Sequence, residues 1–400
     1  MQPRSRTALT RASAIAIGFG VLTTLAAGPA AADPPGGQGA IGGAQLSAPG
    51  RQVNLGPGAA PLPDIWADSW VLADAKTGEI LAAKKAHLQR APASTLKTLT
   101  ALTVLPQVSL DDTYVATAGD ANTYGSRVGL KAGRAYTIRD LFYGLFLPSG
   151  NDAALALARA SGSVPETLNQ MNQLAMRMQA GDTVAKNPSG LDAPGQLSSA
   201  YDLALFGRAT LAHPELIEVA STKRYEFPWR GQRTRTIYNE NRLLLSGYKG
   251  MVGLKTGYTT NAGRTFIGLA QRGDRTLVVA LMGIHEASAD AARKALTWGF
   301  RNQASVTPVG SLVDPLTDEQ FAAANSARSL AVNVEANFAD GVPDSGGGAQ
   351  QSVNAAGVTA TPTAILAGPW WLLATITIAA LGAIALIWQR HKSHAVIDRR

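Results

Sequence analysis

Ser94 and Lys97 stand three residues apart in the segment Ala-Pro-Ala-Ser-Thr-Leu-Lys-Thr-Leu-Thr. Three residues is close to one helical turn, so the hydroxyl and the amine become neighbours on one face. A serine hydroxyl is a poor nucleophile until a base takes its proton. A lysine serves as that base only if burial or a nearby positive charge pulls its pKa down. Pro92 upstream and the apolar run Leu99, Leu102, Val104, Leu105 downstream predict a helix that starts near Ser94 and buries one side. The positive end of its dipole would lie at the serine, where negative charge develops during acyl transfer. Taken alone, the pair is also what an exposed helix carries by chance.

Two further pieces narrow the chemistry. Ser149-Gly150-Asn151 lies in Leu-Phe-Leu-Pro-Ser-Gly-Asn-Asp-Ala-Ala, and Lys255-Thr256-Gly257 in Val-Gly-Leu-Lys-Thr-Gly-Tyr-Thr. Each has a plain structural explanation. Ser-Gly-Asn after Pro148 is turn chemistry, with Asn151 or Asp152 capping the next helix. Lys-Thr-Gly is a common hairpin turn, and the second copy, Lys76-Thr77-Gly78, is expected to be such a turn between two strands. The ordered set is what chance does not supply: Ser-x-x-Lys, then Ser-x-Asn, then Lys-Thr-Gly. That order resembles the signature of the penicillin-interacting serine enzymes.

Within that group the chain resembles the low-molecular-mass D-alanyl-D-alanine carboxypeptidases. The likeness is carried by residues 147–158, Asn-Pro-Ser-Gly-Leu-Asp (187–192), Ser-Ser-Ala-Tyr-Asp-Leu-Ala (198–204), Asn-Glu-Asn-Arg-Leu-Leu (239–244) and Gly-Leu-Lys-Thr-Gly-Tyr-Thr (253–259). It spans roughly residues 65–302.

The elements that must position these groups can be read around them. Trp70–Ala73 and Glu79–Ala83 read as a hairpin, followed by the Ser94 helix. Residues from about 110 to 220 are mostly helical by pattern, for example Asn151–Ala160 and Glu166–Ala180. Strand signals return at Val252–Thr259, Arg264–Ala270 and Thr276–Gly283, and Glu286 to Phe300 closes as a helix. Strands at both ends and helices between them suit an α/β arrangement, an antiparallel sheet flanked by helices with an inserted helical region. The resemblance implies the β-lactamase/transpeptidase-like fold, with the site between the helical region and the sheet.

The flanks read differently. Residues 1–32 are expected to be a signal peptide: Arg4, Arg6 and Arg11, an apolar stretch from Ala12 to Ala27, then Ala30-Ala31-Ala32. Residues 33–63, rich in Gly, Pro, Ala and Gln, read as a flexible leader ahead of a domain at 64–302. Residues 303–363 read as a disordered linker. The uncharged stretch 364–388, with Trp370, Trp371 and Trp388 near its ends, is long enough to span a bilayer. Arg390, Lys392, Arg399 and Arg400 follow, which predicts a cytoplasmic basic tail at 389–400 and a single-pass bacterial membrane protein with its catalytic domain outside the cytoplasm.

Composition sets limits. The 400 residues contain no cysteine, which excludes disulfides, thiol nucleophiles and thiolate metal sites. Five histidines offer no metal pair at helical spacing, and no cofactor is expected. A net charge of +8 invites a nucleic-acid reading, but basic residues at both termini account for much of it and no nucleic-acid partner is expected. Arg230, Arg233 and Arg235, beside Tyr225, Phe227 and Trp229, form the densest internal basic group. A solvated strand or loop is their simpler reading, contact with an anionic polymer the other.

The resemblance implies the following roles. Ser94 attacks the carbonyl of the penultimate D-alanine of a peptidoglycan stem peptide, and Lys97 takes its proton. Backbone N–H groups of Ser94 and Tyr258 form an oxyanion hole. Ser149, helped by Lys255, relays a proton to the leaving amine. Asn151 holds the substrate amide and the Lys97 amine. Lys255 and Thr256 bind the terminal carboxylate, and Gly257 lets the substrate backbone lie close to the strand. Water resolves the acyl-enzyme, and a β-lactam would trap Ser94 covalently. Alternatives on the same groups are a β-lactamase, a D,D-endopeptidase or transpeptidase, and a low-turnover sensor of β-lactams or wall fragments. The β-lactamase reading would need Glu166 to activate water, but its surroundings read as an amphipathic helix with Glu166 in the exposed first turn.

Overall fold

The computed structural model describes residues 40–326. The signal-peptide, transmembrane and tail expectations at 1–32, 364–388 and 389–400 fall outside those residues. Among the described residues no helix is long and apolar enough to cross a membrane.

The centre of the fold is an antiparallel sheet. Its long strands are β1 (Ala67–Asp74), β2 (Glu79–Lys84), β5 (Met251–Thr259), β6 (Gly263–Arg272) and β7 (Arg275–Ile284), with β3 (Arg224–Arg230) and β4 (Arg233–Tyr238) forming a separate hairpin. The strand order is β2-β1-β7-β6-β5, so the two chain-terminal groups of strands meet along the β1–β7 pair. Lys76-Thr77-Gly78 is the β1–β2 turn, as expected: Asp74 Oδ1 accepts from the Lys76 and Thr77 amides. The site-bearing Lys-Thr-Gly instead lies inside the edge strand β5.

Both faces of the sheet are covered, which is why its strands read as nearly continuous apolar runs. Trp70, Leu72, Leu277, Val279 and Leu281 pack with α7 (Ser288–Asn302). The alternate residues Val71, Ala73, Val278, Ala280 and Met282 pack on the opposite side with α5 (Ala200–Ala209). Beyond α5 lies the helical region: α1 (Lys97–Val104), α2 (Ile138–Phe146), α3 (Asn151–Ala160), α4 (Val164–Arg177) and α6 (Pro214–Ser221).

Three expectations are corrected. The Ser94 helix buries more than one side: all eight residues of α1 are buried, because it runs between the sheet side and the helical region. Thr100 meets this by donating to the Pro188 carbonyl and Thr103 by donating to the Leu99 carbonyl. The leader is not free through residue 63. From residue 40 on it belongs to the fold: Leu46 is buried in the core, Arg51–Gln52 pairs with β2, and Asn54–Leu55 pairs with Val306–Thr307. Likewise the domain does not end at residue 302, since Gly310–Ser311 adds to β2 and a helix follows at 318–326. The strands among these pieces have two residues each, too short to show a period of two.

Candidate active site

The turn that carries Ser94 is built on a strained step. A 3-10 turn at Ala93–Leu96 leads into α1, and Ala93 sits at φ 50, a conformation that disfavours a side chain. Its neighbours leave little choice. Pro92 O accepts from the Thr95 and Thr265 hydroxyls, and Gly190 comes so close that a Cβ there would lie 1.9 Å from Ala93 O. Ser94 is thereby presented half-buried at the start of the helix.

Lys97 lies fully buried one turn on, with three oxygens around its amine: Ser94 Oγ at 3.0 Å, Asn151 Oδ1 at 2.7 Å and the Ser189 carbonyl at 2.6 Å. The last two only accept. A neutral amine that donates its two hydrogens to them has its lone pair left for the Ser94 hydroxyl. Burial pushes the Lys97 pKa well below the usual lysine range, and the charge of Lys255 pushes it further, while Glu240 and Asp152 pull it up. The conditions for a lysine base are met.

Asn151 opens α3, and its position is fixed from three sides. Its side-chain amide donates to Tyr124 O at 2.8 Å and its backbone N–H to Ser126 O at 2.8 Å, while its carbonyl oxygen serves Lys97. Gly125 passes so close that a Cβ there would lie 2.8 Å from Asn151 Nδ2. The next residue, Asp152, is fully buried, and its carboxylate accepts from the amides of Val128, Gly129 and Leu130 at 2.9, 2.6 and 3.0 Å. It ties the 126–130 loop to the start of α3. Ser149 lies just ahead, buried and at φ 61.

Lys255 comes from β5, fully buried, its amine donating to Thr256 O at 2.7 Å. Burial pushes its pKa down to about 8, against the opposing pull of Glu240. At Gly257 a Cβ would stand 2.8 Å from Ser94 N and 2.4 Å from Thr265 Oγ1, so the backbone of β5 runs directly against the Ser94 turn. The Ser94 amide therefore lies close to the β5 backbone at Gly257. The Tyr258 side chain is 67% exposed.

A cleft of about 510 Å³ joins these pieces. Ser94, Ser149, Thr256, Gly257 and Tyr258 line it, together with Ser126, Glu240, Arg242 and Arg264. Every site residue singled out in the sequence thus either lines the cleft or is hydrogen-bonded or packed behind it. The residues not singled out are Ser126, Ser189, Asp152, Glu240, Arg242 and Arg264. Residues 187–192 and 239–244 had stood out as segments, but nothing in their type marked a carbonyl or a carboxylate for a role. Glu166 is in the exposed first turn of α4, its amide capped by Ser163 Oγ, and is not among the cleft residues. No group of acidic or histidine side chains suited to a metal ion occurs among the described residues.

Residues 57–286 match the D-alanyl-D-alanine carboxypeptidase family. The D-alanyl-D-alanine carboxypeptidase DacB2 of Mycobacterium tuberculosis is 40% identical over 258 residues, which is 62% of this chain and 88% of that protein. The D-alanyl-D-alanine carboxypeptidase DacD of Escherichia coli is 38% identical, over 61% of this chain and 66% of its own length. Among solved structures, a D-alanyl-D-alanine carboxypeptidase from M. tuberculosis superposes with a TM-score of 0.60 at 39% identity, covering 66% of this chain and 99% of that one. The Streptomyces K15 DD-transpeptidase superposes with a TM-score of 0.58 at 29% identity, covering 60% and 100%.

Proposed function

The chain belongs to the D-alanyl-D-alanine carboxypeptidase family, and from that premise we propose how its residues divide the work. It is a serine hydrolase of peptidoglycan metabolism with the α/β fold of the penicillin-binding transpeptidases. Lys97 draws the proton from Ser94 Oγ as that oxygen bonds to the carbonyl carbon of the penultimate D-alanine. The tetrahedral oxyanion lies between the backbone N–H groups of Ser94 and Tyr258. Collapse expels D-alanine, whose amine takes its proton through Ser149, with Lys255 supporting the transfer. Asn151 holds the substrate amide and keeps Lys97 aligned. Lys255 and Thr256 bind the terminal carboxylate, and water then releases the shortened stem. The observation that carries this reading is the Lys97 amine, fully buried and 3.0 Å from Ser94 Oγ.

The same groups would open a β-lactam ring and leave it esterified to Ser94. Export by residues 1–32 and anchoring by residues 364–388, with the tail in the cytoplasm, complete the proposal, supported by the charge and hydropathy of those segments.

The test is D-alanine release from a tripeptide ending in D-Ala-D-Ala, by the full chain and its Ser94→Ala variant. Release by the parent alone is expected. Release only when an amine acceptor is added would instead make the chain a transpeptidase. A Ser94→Ala variant with parental activity would remove Ser94 from the mechanism.

A further inference from the structure

The β3–β4 hairpin carries a basic face that the reaction does not use. Arg230, Arg233 and Arg235 belong to the hairpin, and Arg127, Lys131 and Arg134 to the 127–134 segment that packs against it through Lys131, Arg134 and Val128. The two layers are locked together. Arg134 donates to Gly231 O at 3.0 Å, Arg235 donates to Val128 O, and Trp229 lies so close to Gly129 that a Cβ there would be 3.1 Å from the ring. Asp152 holds that segment from below through Val128, Gly129 and Leu130. This is a built surface on a fixed support.

Its charge is uncompensated. None of these six cations joins an ion pair among the described residues, although Arg51, Arg90, Arg139, Arg159, Arg177, Arg208, Arg293 and Lys294 all do. Arg230 and Arg233 are direct cross-strand partners, a like-charge pairing that destabilises a hairpin unless an anion sits beside it. Lys131, Arg230 and Arg235 also share one ring, at 5.2, 5.8 and 4.1 Å from the centre of Trp229. The ring spreads and orients the cations and is itself covered by them. A membrane-binding face would leave that tryptophan free to enter the interface. The patch also adjoins the reaction: Arg127 follows Ser126, which lines the catalytic cleft.

We propose that this basic face is an exosite for an oxyanion-bearing polymer of the cell wall, which it holds beside the cleft while the stem peptide is cut. Five of the six cations are arginines, whose planar forks match carboxylate and phosphate oxygens. The proposal rests on the substrate being wall-borne, and goes beyond the cleavage chemistry. Because the face adjoins the cleft that takes the stem peptide, its anions are the carboxylates of the peptidoglycan itself.

The test compares the full-length chain with a Lys131→Gln/Arg230→Gln/Arg233→Gln variant, which leaves the backbone-bonded Arg134 and Arg235 in place. Sedimentation with insoluble cell wall is measured at low and high salt, beside D-alanine release from the soluble tripeptide. The parent is expected to sediment in a salt-sensitive way, and the variant to bind about tenfold more weakly, the scale set by three lost charge contacts. Both should cut the soluble tripeptide at the same rate within about twofold, which shows that the variant is folded and leaves the cleavage chemistry intact. Wall stripped of its phosphate-bearing chains should still bind the parent; lost binding would overturn the assignment to peptidoglycan carboxylates in favour of phosphodiesters. Equal sedimentation of parent and variant, or a parent that binds vesicles rich in phosphatidylglycerol but not cell wall, would overturn the proposal.

Discussion

Replacing Lys255 by methionine should make the protein more stable at neutral pH while removing its activity. Lys255 is fully buried, and burial pushes its pKa from 10.5 down to about 8. That fall means the folded state disfavours the charged amine by about 3 kcal/mol relative to the unfolded chain. Between those two values the unfolded chain binds the proton and the folded chain does not, so stability rises with pH through the window. Below pH 8 both states are protonated and the folded parent carries the whole penalty. A methionine of similar length has no charge to bury. It also forfeits the hydrogen bond to Thr256 O, worth about 1 kcal/mol. The Lys255→Met variant should therefore be about 2 kcal/mol more stable than the parent at pH 7, or about 4 to 8 °C in Tm at this domain size. At pH 10.5 the electrostatic gain is nearly gone, so the variant should be the less stable by somewhat under 1 kcal/mol. Relief of Lys97, which loses the positive charge beside it, acts in the same direction. Urea unfolding of parent and variant at both pH values measures the difference, and other titrating groups cancel in the comparison. A variant less stable at pH 7, or a difference that does not change with pH, would refute the reasoning.

Other outcomes follow from the same geometry. If Lys97 acts neutral and Lys255 charged, kcat/KM should be bell-shaped in pH, with its alkaline limb near pH 8, where Lys255 loses its proton. Glu240 raises both amines, so Glu240→Gln should move both limbs to lower pH; limbs that stay in place would remove Glu240 from the electrostatics. Gly257→Ala places a methyl group 2.8 Å from Ser94 N and 2.4 Å from Thr265 Oγ1. It should slow acylation by a fluorescent penicillin about a hundredfold, the effect of roughly an ångström of misplacement, and an unchanged acylation rate would show that the strand is not set by that contact. Asp152→Asn leaves two buried N–H groups and one half-buried one facing a weaker acceptor and should cost about 2 to 4 kcal/mol in urea unfolding, with acylation slowed through Asn151.

The parts of this site that could be read in the sequence are those held by local geometry. Ser-x-x-Lys is readable because one helical turn brings its two groups together wherever the helix lies. The two copies of Lys-Thr-Gly show the limit: 76–78 is a turn and 255–257 a strand interior, and the distinction came from the flanking strand pattern and the order of motifs. The Ser189 carbonyl beside Lys97 was not readable, because every residue has a carbonyl and only the folded path brings this one to the amine. Asp152 looked like a helix cap, and its carboxylate instead reaches back to residues 128–130. The chain before residue 64 and after 302 failed for another reason. Its strands have two residues each, and the core residues beside them, Leu46, Val309 and Leu312, are too scattered to form a periodic hydrophobic signal.

The placement of backbone strain joins these observations. Five residues other than glycine have positive φ among the described residues, and three of them adjoin the three motifs: Ala93 at φ 50 beside Ser94, Ser149 itself at φ 61, and Leu254 at φ 103 before Lys255. Each such residue costs on the order of 1 to 3 kcal/mol and persists only where its surroundings allow nothing else. Those surroundings are visible. Gly190 presses on Ala93 O, the Gly150 amide is tied to Gly144 O, and Gly253 lies where a Cβ would be 2.3 Å from Ala220 O. In each case an adjoining glycine lets a second chain segment approach close enough to hold the strained one. The two buried lysines, Lys97 and Lys255, add a further cost at the same cleft. Such a region is maintained by the packed helices and sheet around it, and in return it holds Ser94, Lys97 and Lys255 in one arrangement, the preorganisation the proposed reaction needs.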